Sequence, residues 1–374
     1  MKSQIVLELN PTVGNARNSE GAFVTLNDGR LLFAWSKFLS SESGDHEPSV
    51  IVACTSDDGG RTWNDDERIL ARPENGAHNL MSASLLRLQN GRILFLSLSK
   101  KNFPDGGHQC QPLARFSDDE MATISPATPL TLSTDYHVVN NDRLVQLHDG
   151  TLIVPVAQHR FGMPSQLPAQ GKPQPQFKHA ALIFYLISKD NGETWVESKN
   201  SYYRSFEDGS GLQEPGIVEL NDGRLWSWTR TSWKDNDEVA HQWQSFSENA
   251  GENWSEPTPS VFASPCSPLS MKRIPETGDL LAVWNDHSGR FPVSLKGDFQ
   301  NRTPLVCAVS SDEGITWKHH QIIEDSPDHG FCYTAIHFVD DAVLLAYCAG
   351  GPMPQNCLQR LRMRRIEMSD IYFS

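Results

Sequence analysis

Five short segments place ionisable or phenolic side chains at points where an alternating apolar run begins or ends. GDHEPSVIV carries Asp45, His46 and Glu47, and GLQEPGIVEL carries Glu214. WSWTRT brings in Arg230, NRTPLVCAVSSDEG holds Arg302, and HGFCYTAIHF holds Tyr333. Arginine offers planar, permanently charged, bidentate donors suited to a carboxylate. Carboxylates can act as general acids or bases, and a phenol beside a base becomes a nucleophile. Taken singly, each residue reads as a solvated loop charge or a tyrosine at the edge of a core. Whether they form a site depends on the elements that carry them.

Those elements repeat. A tight hairpin signal between apolar runs occurs as LNDGRLL at 26–32, LQNGRIL at 88–94, LHDGTLI at 147–153 and LNDGRLW at 220–226. Two weaker copies follow, TGDLL at 277–281 and VDDAVLL at 339–345. Asp-Gly and Asn-Gly suit such turns because the central positions require positive φ. A second element, Ser-x-Asp-x-Gly-x-Thr-Trp, reads SDDGGRTW at 56–63, SKDNGETW at 188–195, SENAGENW at 247–254 and SSDEGITW at 310–317. SDDEMATI at 117–124 is a degraded copy. Each copy follows a hairpin signal, so every repeat reads strand, turn, strand, strand, turn, strand.

A period of about 60 residues with four short strands is the pattern of a propeller blade. The expected fold is all-β: one six-bladed β-propeller of four-stranded antiparallel blades, a single domain over 1–374, with no helix. The N-terminal run Gln4–Leu9 is expected to complete the last blade beside the strand near Leu361–Ile366. The Ser/Asp turns are expected to be structural: a short Asp side chain bonding backbone amides over a Gly at positive φ. Both kinds of turn then share one face. Function belongs on the other, among the loops joining strands 2 and 3 and joining successive blades.

On these motifs the chain resembles the sialidase superfamily, and its second repeat matches that superfamily's Asp-box. EPGIVELNDGRLWSWTR is similar to the family segment that pairs a glutamate with a carboxylate-binding arginine. GDHEPSVIV, RTPLVCAVSSDEGITW and CYTAIHFVDDAVLLAY are similar to segments carrying the general acid/base, another triad arginine and the tyrosine nucleophile. The resemblance implies a retaining exo-glycoside hydrolase for a terminal sialic acid or related acidic 2-keto sugar. Tyr333 would be the nucleophile, Glu214 its base, Asp45 the acid/base, and Arg230, Arg302 and Arg17 the carboxylate grip. The chemistry is coherent. A substrate carboxylate at the anomeric carbon would repel a carboxylate nucleophile, and a phenol that is neutral until deprotonated avoids that clash. Asp45 would need a raised pKa to protonate the leaving oxygen.

Two departures fall at one corner of the pocket. The family's Arg-Ile-Pro motif is replaced by ARNSEG around Arg17, and LLAYCAGG lacks the acidic residue that usually accompanies that arginine, leaving Glu20 as a substitute partner. HNLMSAS offers His78 and Asn79 as further pocket residues. HVVNNDRLVQL offers His137, Asn140, Asn141, Asp142 and Arg143, the last as an extra anion contact or a salt-bridge partner of Asp142. The Pro/Gln-rich stretch 161–178 reads as a long loop on the same face, a lid, a subsite wall or a disordered insertion.

The formal net charge of −14 argues against a nucleic-acid partner but not against a small anionic sugar or glycoconjugate held by local arginines. No apolar run has the length of a transmembrane helix. The seven cysteines are scattered with no CxxC spacing, so neither a disulfide framework nor a metal site is expected. That usage, with an N-terminus that reads as a strand, fits a cytoplasmic location. No cofactor is indicated, and the oligomeric state is not legible. The alternatives to hydrolysis are a hydrolase or lyase for a different acidic sugar, and a non-catalytic carbohydrate- or protein-binding propeller.

Overall fold

The computed structural model describes residues 3–103, 107–162, 176–207, 209–233, 239–293, 302–352 and 355–372. The described residues are all-β apart from a single helical turn, Met368–Tyr372, which the sequence pattern did not predict. No helix among the described residues is long and apolar enough to cross a membrane. Four sheets have four strands each, ordered as successive antiparallel hairpins. The first runs Asn18–Thr25, Leu31–Phe38, Ser49–Ser56 and Arg68–Ala71. Two more occupy Gln213–Ala263 and Ser270–Glu324. In the last, Cys332–Val339, Ala342–Cys348 and Leu361–Glu367 are joined by the N-terminal strand Ser3–Leu9, with Ser3 opposite Ile366.

Residues 79–203 differ from the regular plan. Their described strands, apart from the separate pair Phe161–Gly162 and Gln176–Phe177, form one ten-stranded sheet instead of two four-stranded units. The expected first strand of the third repeat is broken into Tyr136–Val138 and Val145–Gln146, and Tyr136–Val138 also pairs in parallel with His108–Ser117. The break follows from the polar run Asn140–Asn141–Asp142. Asn141 donates to the carbonyls of Gly21 and Tyr333, and Asp142, at φ 57°, accepts from the Ile336 amide and Lys272. Side chains that satisfy neighbouring backbones in this way take the place of ladder bonds.

The Ser/Asp turns share one geometry. In the first, Ser56 Oγ donates to Asp58 at 2.9 Å and accepts from the Gly60 amide at 3.0 Å. Asp58 Oδ1 accepts from the amides of Arg61 and Thr62. The degraded copy repeats this through Ser117, Asp119 and Thr123, with Met121 at φ 64° in place of glycine. These turns face the hairpin turns directly: Glu120 accepts from Asn27, Glu313 from Asn221, and Arg92 pairs with Glu193. Both turn types therefore lie on one side.

The innermost strands lie side by side. Asn18–Thr25 contacts Asn79–Arg87 and Cys332–Val339, while Ser270–Arg273 contacts Gln213–Glu219 and Cys332–Val339. Apolar side chains of adjacent sheets fill the wedges between them, as where Phe33 and Trp35 meet Leu344 and Met363.

Candidate functional site

The inner strands do not alternate smoothly at the ends away from the hairpins. Four of them carry a register shift, and beside each sits a non-glycine residue with positive φ: Glu20 at 54°, Ser82 at 57°, Glu214 at 47° and Tyr333 at 58°. A bulge adds a residue and re-aims its side chain. The αL backbone costs roughly 1–3 kcal/mol at each such position and persists only where the surroundings enforce it. Close packing does so beside Glu214, where a Cβ on Gly216 would lie 2.5 Å from the Trp228 ring. All four side chains are thereby turned into one cavity of about 330 Å³.

Asp45, Glu20, Glu214, Arg230, Arg302 and Tyr333 line this cavity together. Tyr333 Oη donates to Glu214 Oε1 at 3.3 Å and accepts from Arg230 Nη1 at 3.1 Å. Glu214 also meets Arg230 Nη2 at 2.9 Å and Asn140 Nδ2 at 3.1 Å. Burial pushes the Tyr333 phenol well above its ordinary range, with Glu214 adding to the effect and Arg230 and Arg302 opposing it. Arg302 is held by the Cys266 carbonyl and the Cys332 sulfur, with no carboxylate in ion-pair reach among the described residues. Its charge is therefore free for an anion.

The other predicted residues fall elsewhere. Arg17 is buried outside the cavity lining and bonds Glu20 at 2.8 Å and Asp45 at 2.6 Å, so Glu20 does partner it. Both ends of the guanidinium already hold carboxylates. Glu20 Oε2 also accepts from Ser82, and burial, opposed by Arg17, pushes the Glu20 carboxyl up. The expectation of a raised Asp45 pKa is overturned in this state. Its side chain keeps 55% exposure at the cavity rim; partial desolvation there pushes the carboxyl up, but the charges of Arg17 and Lys100 outweigh it and hold the group well below the usual carboxylate range.

His46, Glu47, His78 and Asn79 do not line the cavity. His78 Nε2 lies 2.7 Å from the His46 carbonyl, and Asn79 Nδ2 lies 2.6 Å from that of Glu47. His137 is buried against Phe184, and Asn141 fastens the backbone of Tyr333. Arg143 neither pairs with Asp142 nor reaches this cavity. It donates to the Leu269 carbonyl and lines a separate space of about 310 Å³ toward the hairpin side, while Asp142 pairs with Lys272. Of the stretch 161–178, residues 163–175 lie outside the described residues, and Phe161 and Phe177 pair at its base.

Several lining residues were missed: Lys100, Tyr136, His159, Phe177, His179 and Gln213. One signal existed for Lys100. It closes the unbroken buried run of a second strand, two residues before that strand ends, much as Arg230 closes the second strand of the fourth repeat. Among the described residues no group of three or more His, Cys, Asp or Glu side chains is placed to hold a metal ion. With every carboxylate ionised, four cations (Arg17, Lys100, Arg230, Arg302) face three anions (Glu20, Asp45, Glu214), leaving one net positive charge. Any proton on Glu20 makes the site more positive still.

A repeated Ser/Asp turn on all-β hairpin sheets, with a cationic cavity at the opposite strand ends, defines a sialidase-type scaffold. The chain belongs to the BNR repeat-like domain family, whose model matches residues 104–345. No curated protein sequence matches it. Among solved structures it resembles a protein of unknown function from Dyadobacter fermentans, with 16% identity, TM-score 0.70, and 98% of this chain and 99% of that one covered. It also resembles the leech intramolecular trans-sialidase in complex with 2,7-anhydro-Neu5Ac, with 14% identity, TM-score 0.70 and coverage of 99% and 71%. The intramolecular trans-sialidase of Ruminococcus gnavus in complex with oseltamivir carboxylate is similar at 14% identity, TM-score 0.69 and coverage of 99% and 98%. Identities of this size speak to fold alone.

Proposed function

We propose that the chain is a retaining exo-glycoside hydrolase acting on a terminal sialic acid or related acidic 2-keto sugar. In this reading residues 1–374 form one domain, and the six strand groups close into a six-bladed β-propeller. The contacts of the first group's inner strand with both the second and the last support that closure. The observation that carries the function is the convergence of Tyr333 Oη, the Glu214 carboxylate and two arginines on one cavity.

Arg302 and Arg230 take the substrate carboxylate, and the positive balance of the site suits one added negative charge. Glu214 accepts the Tyr333 proton as the phenolic oxygen bonds to the anomeric carbon. The bond from that carbon to the leaving oxygen breaks, and the leaving oxygen takes a proton from Asp45. A water deprotonated by Asp45 then cleaves the tyrosyl intermediate, and the phenolic oxygen recovers its proton from Glu214. For the first step Asp45 must give up Arg17 and become protonated once substrate is bound. The Arg17–Asp45 pair also favours a second reading, non-catalytic binding of an acidic sugar.

A panel of fluorogenic acidic-sugar glycosides tests for hydrolysis. A 3-fluoro derivative of the cleaved sugar should then leave a covalent adduct on Tyr333, seen by mass spectrometry of the digest and absent in Tyr333→Phe. An adduct elsewhere would refute the nucleophile, and no cleavage of any acidic glycoside would leave the binding reading.

A further inference from the structure

Lys100 is a cation buried to 3% exposure in the cavity wall, with no carboxylate in ion-pair reach among the described residues. Burying an ammonium is costly unless something compensates it. Its Nζ donates to the Asp45 carbonyl at 3.0 Å and sits 5.6 Å from the Tyr136 ring. Beside it Asn79, fully buried, donates to the Glu47 carbonyl at 2.6 Å and to that of Asp45 at 3.4 Å. His78 meets the His46 carbonyl. Three side chains of the second strand group thus hold three successive carbonyls of a segment that belongs to the first.

We infer that Lys100, together with Asn79, is a positioning residue for Asp45: it fastens the main chain of the 45–47 segment and sets a buried positive charge beside it. The mechanistic value of this rests on Asp45 being the proton donor proposed above. The groups facing that carboxyl come from several elements. Arg17 and Glu20 approach from the first strand group, Lys100 and Cys110 from the second, Tyr136 from the third, and His46 from the same segment. His46 is pushed down to about 3, by burial first and then by Lys100 and His108, and so stays neutral. Burial pushes Tyr136 and Cys110 up to about 12, so they are neutral too. Arg17 and Lys100 are therefore the two cations acting on Asp45.

The test is the titration of the Asp45 carboxyl in the unliganded protein, followed by carbon-detected NMR, in wild type, Lys100→Met and Lys100→Arg. The midpoint is expected to rise by at least one pH unit in Lys100→Met and to return toward wild type in Lys100→Arg. The alkaline limb of kcat/KM for an acidic glycoside should move upward with it. An unmoved midpoint in folded Lys100→Met overturns the inference. Should that variant not fold, Asn79→Ala carries the test: kcat should fall at least tenfold with KM within twofold, and an unchanged kcat overturns the inference. Should wild type cleave no acidic glycoside, the hydrolase reading fails, while the titration and its Lys100→Arg control still decide whether Lys100 governs Asp45.

Discussion

Arg17, Arg230 and Arg302 are one residue type in three electrostatic states, and substitution should separate them. Arg302 has only sulfur and carbonyl partners, so Arg302→Met removes an unspent charge. On a cleaved substrate, kcat/KM should fall at least tenfold, about 1.4 kcal/mol, with little change in denaturation midpoint. Arg17 is spent on Glu20 and Asp45. Arg17→Met leaves Glu20 as an uncompensated buried carboxylate, which costs about 3 kcal/mol. Urea unfolding should register that loss, and an unchanged midpoint would show that Glu20 is neutral in the fold. Tyr333 belongs to the same scale. Its phenol stays protonated through the neutral range because burial opposes the phenolate, so a base in contact with it is a chemical requirement of the proposed reaction.

At the scale of the element, turns and bulges divide the work between the two ends of each strand. The Ser/Asp turns are built from local bonds alone. Ser56→Ala removes the acceptor of the Gly60 amide and the donor to Asp58. The expected cost is about 1–2 kcal/mol in thermal or urea denaturation, with kcat per folded molecule unchanged because the turn lies at the far ends of the strands. A fall in kcat would mean that the turns are coupled to the site. The bulges at Glu20, Ser82, Glu214 and Tyr333 are the opposite case, holding strained backbone so that alternation is broken where side chains must converge.

For the whole molecule, the joint between the last two strand groups and the N-terminal strand is the place to test cohesion. Glu324 accepts from Tyr347, Arg362 and Arg364, Arg362 also reaches Glu8, and Arg364 reaches Ser3. Burial pushes the Glu324 carboxyl up, but Arg364, Arg362 and Tyr347 outweigh it and hold it below its ordinary value. A group depressed in the fold contributes stability that is present above its unfolded pKa, about 4.3, and is lost as pH falls through the lower folded value. The melting temperature should therefore drop on acidification below about pH 4.5. Glu324→Gln should lower it at pH 7 and flatten that acid slope. An acid slope identical in wild type and variant would place the acid lability elsewhere.

The sequence by itself determined the repeat, the turn chemistry and the N-terminal strand's partner, because each depends on local signals: Asp-Gly at positive φ, Ser and Asp bonding nearby amides, and alternating apolar runs. It also placed Asp45, Glu214, Arg230, Arg302 and Tyr333 at the strand ends that share the cavity. What only the tertiary structure decided depends on residues far apart in the chain. The merging of the second and third sheets comes from Asn141 and Asp142 bonding the inner strands of the first and last groups. Lys100 acquires its place only when the second strand group meets the segment of the first. The charged surroundings of Asp45, with Arg17 in ion-pair contact and the Lys100 ammonium on its carbonyl, likewise arise from residues that no spacing in the chain brings together.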